Sequence, residues 1–255
     1  MEPSPEKSQH FLIDKEVLSQ EIKTAKLTKK DNVLEIGAGS GILTQELIKK
    51  AGSVCAVELD EVFKQPLKQL EQDNKKQNLK IIIGDALSIN WRDYNKIVSN
   101  IPYNLSEQTI NKAAFSRVKA LVLIVGENFK EILEKNESKA GFIANLFYDI
   151  EYILPVKNTS FEPVPRVDSY LIKLELKNEK KLSDSEKLLQ GMVFRDGKIK
   201  NAILYSLVEQ GKTKNQAREI IDKMNFSKEV LEKPNAKTTG EFLRKLGEKI
   251  DKLKE

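Results

Sequence analysis

The chain has 255 residues, 40% of them hydrophobic and 32% charged, with a formal charge of +5. That length can bury a real core in one or two domains, and the composition excludes a disordered or fibrous protein. No apolar run approaches the ~20 residues that span a bilayer. The polar stretch Met1–Gln9 does not read as a signal peptide, and a single cysteine, Cys55, excludes an internal disulfide and a cysteine-based zinc cluster.

These features predict a cytoplasmic protein with neither membrane nor metal contacts. From Asn32 onward, short β-branched runs alternate with longer amphipathic ones. Val33–Ile36, Ser53–Val57, Lys80–Ile83, Lys96–Val98 and Ala120–Val125 read as buried parallel strands. Gly41–Lys50, Glu61–Lys76 and Glu107–Phe115 read as the helices between them. The order predicts an α/β fold, an open, mostly parallel sheet with helices on both faces. Tyr152–Val156 and Tyr170–Leu176, with no long helix between them, read as late, partly antiparallel additions to that sheet. After Lys177 the strand pattern stops. Asn178–Ser185 reads as a linker, and Glu186–Phe194, Ile199–Glu209, Lys214–Met224 and Thr239–Leu253 have helical periodicity. We therefore expect a sheet domain over residues 1–177 and a small all-helical domain over 184–255. Residues 177–255 hold 19 lysines and arginines against 13 acidic residues, while the remainder holds 24 against 25. The whole positive excess lies in the helical part, the footprint of a polyanion partner or of a solvated lysine-rich face.

The sequence Leu34-Glu35-Ile36-Gly37-Ala38-Gly39-Ser40-Gly41 follows the first of these strands and opens a helix, so its glycines allow a tight turn and a close ligand approach. Glu58 ends the second strand, where a carboxylate can accept from two ribose hydroxyls, and Asp85 ends the third, where it can accept from an adenine amino group. Asn100 ends the fourth. Four such groups at successive strand ends converge on one crevice. The G-x-G-x-G spacing differs from that of dinucleotide sites, and the turn carries no basic residue for a pyrophosphate. A compact nucleoside bearing a sulfonium fits better, with Glu35 and Asp85 offering complementary negative charge.

Asn100-Ile101-Pro102-Tyr103 suits an adenine amine, whose lone pair is delocalised into the ring. The Asn100 side-chain oxygen and the Ile101 carbonyl can accept both amine hydrogens, Pro102 fixes the turn, and Tyr103 can stack on the base. Positioning then supplies most of the rate without a strong base, and the only histidine, His10, lies far away in sequence. In Phe161-Glu162-Pro163-Val164-Pro165-Arg166, two prolines hold an extended loop that can present Phe161 to the other face of an extruded adenine or pack it as a loop aromatic on the core.

These residues together resemble the small-subunit ribosomal RNA adenine N6,N6-dimethyltransferases, the dimethyladenosine transferase family. Ser8-Gln9-His10-Phe11-Leu12 is similar to the family's G-Q-(N/H)-F-L motif. Val33–Gly41, Val57–Asp60, Gly84–Leu87, Asn100–Asn104 and Phe161–Ser169 follow in family order. The resemblance covers roughly Lys7 to Leu176 and continues weakly into the helical tail. It implies a class I, Rossmann-like methyltransferase sheet that uses S-adenosylmethionine. It further implies cofactor contacts from His10, Leu12, Gly37, Gly39, Glu58, Asp85, Ala86 and Asn100, and catalysis at Asn100, Ile101, Pro102, Tyr103 and Phe161. Its implied partners are small-subunit rRNA and the assembling small ribosomal subunit, gripped by a monomer through Arg166, Arg195, Lys198 and Lys200. Two departures stand out: Val125–Leu133, where the family carries Q-x-E and then an arginine, lacks all three, with the pattern lost over Gly126–Ile132, and Gly141-Phe142-Ile143-Ala144 stands where the family has G-R-L-S. They leave open methylation of a different RNA, such as large-subunit rRNA, or a binding-only assembly factor.

Overall fold

The computed structural model describes residues 10–74 and 78–253, so Ser8 and Gln9 of the N-terminal motif lie outside the described residues. The described chain opens with a two-residue strand, β1 (Phe11–Leu12), and a helix, α1 (Lys15–Ala25). Asp14 caps α1, its carboxylate accepting from the backbone N–H of Glu16 at 2.9 Å and of Val17 at 3.2 Å. The expected alternation follows as β2 (Asn32–Ile36), α2 (Ile42–Lys50), β3 (Ser53–Glu58), α3 (Lys64–Asp73), β4 (Leu79–Ile83), β5 (Lys96–Ser99), α4 (Ser106–Ser116) and β6 (Ala120–Gly126). The predicted helix over 61–76 begins as a single 3₁₀ turn at Glu61–Phe63, and its last residues lie outside the described residues. Next come α5 (Glu127–Lys135), α6 (Lys139–Phe147), β7 (Tyr148–Val156), β8 (Phe161–Glu162) and β9 (Ser169–Leu176).

Seven strands form one sheet in the order β4-β3-β2-β5-β6-β9-β7. The pairs among β2–β6 are parallel, whereas β9 runs antiparallel to β6 from Ala120↔Glu175 to Gly126↔Ser169. The central strands are buried along nearly their full length, which explains their mostly apolar sequences. Because β3 and β5 flank β2 on opposite sides, the chain order reverses at β2, and the crevice at the carboxyl ends of β2 and β5 is where such sheets take ligands. Over that crevice lies a two-stranded antiparallel ribbon, with Phe11 opposite Glu162 and Leu12 opposite Phe161.

Two compact units result. The first takes the chain up to Glu131 together with Asp149–Leu176, and the second takes Ile132–Tyr148 and everything from Lys177 onward. The sequence expectation drew one boundary near 177, whereas the second unit also takes in Ile132–Tyr148. Helix α6 is apolar on nearly every side, and seven of its nine residues are buried. It packs among the later helices, where the Gln190 side chain donates to the Leu146 carbonyl at 2.7 Å. Those helices are α7 (Asp184–Met192), α8 (Ile199–Glu209), α9 (Lys214–Lys223), α10 (Lys228–Glu232) and α11 (Gly240–Lys252). The expected linker is shorter than predicted, because Ser183 and Glu186 form a capping box that starts α7 at Asp184. Among the described residues, no helix is long and apolar enough to cross a membrane, and no cluster of His, Cys, Asp and Glu is arranged to hold a metal.

Candidate active site

A cavity of about 540 Å³ opens at the carboxyl ends of β2–β5, within the first unit and in the size range of a small-molecule site. Its rim is the glycine turn. Gly37, Gly39 and Gly41 have φ of +75°, +53° and +83°, a region that only glycine enters without strain. The N–H groups of Gly37 and Ala38 both donate to the Val57 carbonyl, at 2.8 and 3.1 Å, which pins the turn to β3. A β-carbon on Gly39 would sit 2.7 Å from the Phe11 ring, so the ribbon closes directly on the turn.

Glu58 ends β3 almost buried, its two oxygens accepting from the N–H of Gly39 and of Asp60, each at 2.8 Å. Each oxygen keeps a further lone pair for a ligand. Asp85 is exposed, held by the Leu87 N–H at 2.8 Å and the Ser88 hydroxyl at 3.1 Å, with Ala86 buried beside it. His10, Leu12, Gly37, Gly39, Glu58, Asp85, Ala86 and Asn100 all line the one cavity, as do Ile101, Pro102, Tyr103 and Phe161.

Two carboxyl groups, those of Glu35 and Glu21, are buried close to one another here. Glu35 is 1% exposed and accepts from the Thr44 hydroxyl at 2.6 Å, yet burial, with Glu58 nearby, pushes its carboxyl up to about 8. It is therefore not the standing negative charge that the sequence suggests at neutral pH. Glu21, on α1, was not legible as a site residue at all. It is fully buried, and burial followed by the nearby Glu35 carboxyl pushes it well above the usual carboxylate range. With the Asn100 amide turned so that each end faces a complementary group, its nitrogen lies 3.1 Å from Oε1 and 3.2 Å from Oε2 of Glu21.

A carboxyl raised on folding keeps a proton that the unfolded chain releases, so stability falls as pH climbs from about 4.5 to about 8. Thermal unfolding across that window should show a falling Tm, with a shallower fall in Glu35→Gln, whose amide does not titrate. Parallel curves for the two proteins would refute the assignment.

His10, remote in sequence, is a neighbour in space. Its ring stacks on Tyr103 with centroids 6.1 Å apart, and its Nδ1–H donates to the Pro163 carbonyl at 2.7 Å. The Tyr103 hydroxyl is 2.6 Å from the Ser169 hydroxyl, and burial pushes the phenol up. A β-carbon on Gly126 would lie 3.4 Å from the Tyr103 ring, so the departure at 126 is where this ring packs. Phe161 differs from its expected place on an extended loop. It is 3% exposed in β8 beside Leu12, forming a wall of the cavity. Gly141-Phe142-Ile143-Ala144 are packing residues inside the second unit, buried in α6.

Arg166 is exposed. The other expected RNA contacts are already paired: Arg195 with Glu209, and Lys198 and Lys200 both with Glu232. Those two ammonium groups hold the Glu232 carboxyl down at about 2.

A sequence model of the ribosomal RNA adenine dimethylase family matches residues 4–238. A probable ribosomal RNA small subunit methyltransferase A of Methanopyrus kandleri is 33% identical over 228 residues, 85% of this chain and 81% of that protein. A protein of the same name from Thermococcus gammatolerans is 35% identical over 71% of this chain, and the match spans just under two thirds of that relative, 66%. The crystal structure of a dimethyladenosine transferase from Plasmodium falciparum superposes with a TM-score of 0.65 at 25% identity, covering 95% of this chain and 98% of that one. The glycine turn, the acidic strand ends and the Asn100 loop thus stand in a chain that belongs to the ribosomal RNA adenine dimethylase family.

Proposed function

We propose that this chain transfers methyl groups from S-adenosylmethionine to the N6 amine of adjacent adenines near the 3′ end of small-subunit rRNA, acting as a monomer on the assembling subunit in the cytoplasm. The observation that carries the reading is Asn100, its amide nitrogen held by a buried acid, at the mouth of a cavity built from four strand ends. The cavity suits the cofactor. Among the described residues, no lysine or arginine lines it, which disfavours a pyrophosphate ligand. Glu58 offers two acceptor oxygens for a ribose, and a β-carbon on Gly84 would meet nothing within 4 Å, so the backbone beside Asp85 is open to a base. When bound, S-adenosylmethionine supplies an electrophilic methyl on a sulfonium.

The chain's own contribution is to hold the amine. The carbonyls of Pro102 and Tyr103 already accept from the Leu105 N–H at 2.8 Å and the Ser106 hydroxyl at 2.9 Å. The Asn100 side chain and the Ile101 backbone, which is not engaged in either of those bonds, accept the two N6 hydrogens in this reading and localise the lone pair on nitrogen. Pro102, at φ −53° and ψ 130°, fixes the direction of that carbonyl. Tyr103 and Phe161 bound the space for the base, and orientation against the methyl supplies the rate. Arg166 and the paired cations of the helical unit would contact RNA phosphates, Lys198 and Lys200 by exchanging Glu232 for a phosphate.

The test is transfer of labelled methyl from S-adenosylmethionine to unmodified small subunits, followed by digestion and mass spectrometry of the nucleosides. Dimethyladenosine near the 3′ end is the expected product. Label confined to another RNA would redirect the substrate assignment, and no label in adenine would overturn the reading.

A further inference from the structure

Helix α1 turns a carboxyl group into its buried face. Val17, Glu21, Thr24 and Ala25 share that face, and Glu21 is 0% exposed. An acid there is costly to bury, and an apolar side chain of similar size would pack without that penalty. Stability does not explain its presence. Its contact with Asn100 does.

An asparagine amide has two orientations related by a half-turn about its last torsion, with oxygen and nitrogen exchanged. For an incoming amine they are opposites. Oxygen outward accepts an N6 hydrogen, whereas nitrogen outward sets donor against donor. Oε1 and Oε2 of Glu21, 3.1 and 3.2 Å from the Asn100 nitrogen, draw that nitrogen inward. We propose that Glu21 is a positioning residue for methyl transfer, an acceptor behind the loop that holds the Asn100 oxygen toward the reacting amine. The proposal rests on the functional reading above. Whether Glu21 is protonated or ionised, at least one of its oxygens accepts, so a glutamine at this position preserves the contact and a methionine removes it.

Glu21→Met is expected to fold with an unchanged or raised Tm while kcat falls by about tenfold or more, the loss of a preorganised group acting at one remove. Its cofactor Kd and its KM for RNA should stay within about threefold, and Glu21→Gln should keep kcat within about threefold. A second readout does not need activity. The Asn100 side-chain amide, identified in NMR spectra by its disappearance in Asn100→Ala, should exchange slowly with water in wild type and Glu21→Gln and rapidly in Glu21→Met. Wild-type turnover by Glu21→Met, equal impairment of both variants, or rapid exchange in the wild type itself would each overturn the proposal. A wild type that methylates no adenine would overturn the functional reading and this proposal together. An active wild type indifferent to Glu21→Met would overturn the proposal alone.

Discussion

Replacing Asn100 with alanine is expected to lower adenine methylation by about a hundred- to a thousandfold while leaving the fold intact, the usual scale for losing a preorganised polar group at a reacting atom. Asn100 stands just past β5, beside the point where the strand order reverses, and in the proposed reaction its oxygen is the side-chain acceptor for the amine. Alanine removes that acceptor without disturbing the backbone of Ile101 and Pro102. It also strands Glu21, whose carboxyl is already biased toward its neutral form by burial, so the stability cost should not exceed about 1–3 kcal/mol. Single-turnover methyl transfer at saturating cofactor, with thermal unfolding beside it, separates lost chemistry from lost binding or lost fold. A variant within about threefold of wild type would remove Asn100 from the chemistry.

The second large effect is expected at Glu58. Glu58→Gln should weaken S-adenosylmethionine binding by about a hundredfold, with little change in the rate once cofactor saturates. The reason is more than lost charge. Both carboxylate oxygens accept from backbone N–H groups at 2.8 Å, on Gly39 in one direction and Asp60 in the other. An amide must turn its NH₂ toward one of those donors, so either the glycine turn or the start of the following segment loses its anchor. A charge-assisted acceptor for a ribose hydroxyl goes with it. Isothermal titration with the cofactor checks this, and an unchanged Kd would place the ribose elsewhere.

The sheet was legible because β2, β3 and β6 are buried along nearly their full length and read as mostly apolar, β-branched runs. The cavity-lining residues were legible because glycine turns and strand-end carboxylates recur at positions set by that sheet. What escaped reading depends on contacts remote in sequence. Helix α1 reads as polar, since its buried face carries Glu21 and Thr24 where an aliphatic pattern would be sought. Strands of two residues, β1 and β8, have no periodicity and exist only through each other. Helix α6 is apolar throughout, and nothing local assigns it to the second unit rather than the first. The basic residues at 195, 198 and 200 were visible as charges, but their partners, Glu209 and Glu232, lie in other helices.

The ribbon of β1 and β8 also determines how this protein can vary. Phe11 leans on Gly39 at the glycine turn, Phe161 forms a wall of the cavity, and His10 holds the Pro163 carbonyl across 153 positions of chain. Substitutions on the two strands should therefore be strongly non-additive, each change of size at 11 or 12 being tolerable only with a matching change at 161 or 162. Lineages of this family would then drift at these positions in pairs, and a chimera joining the first segment of one relative to the body of another would lose both binding subsites at a single seam.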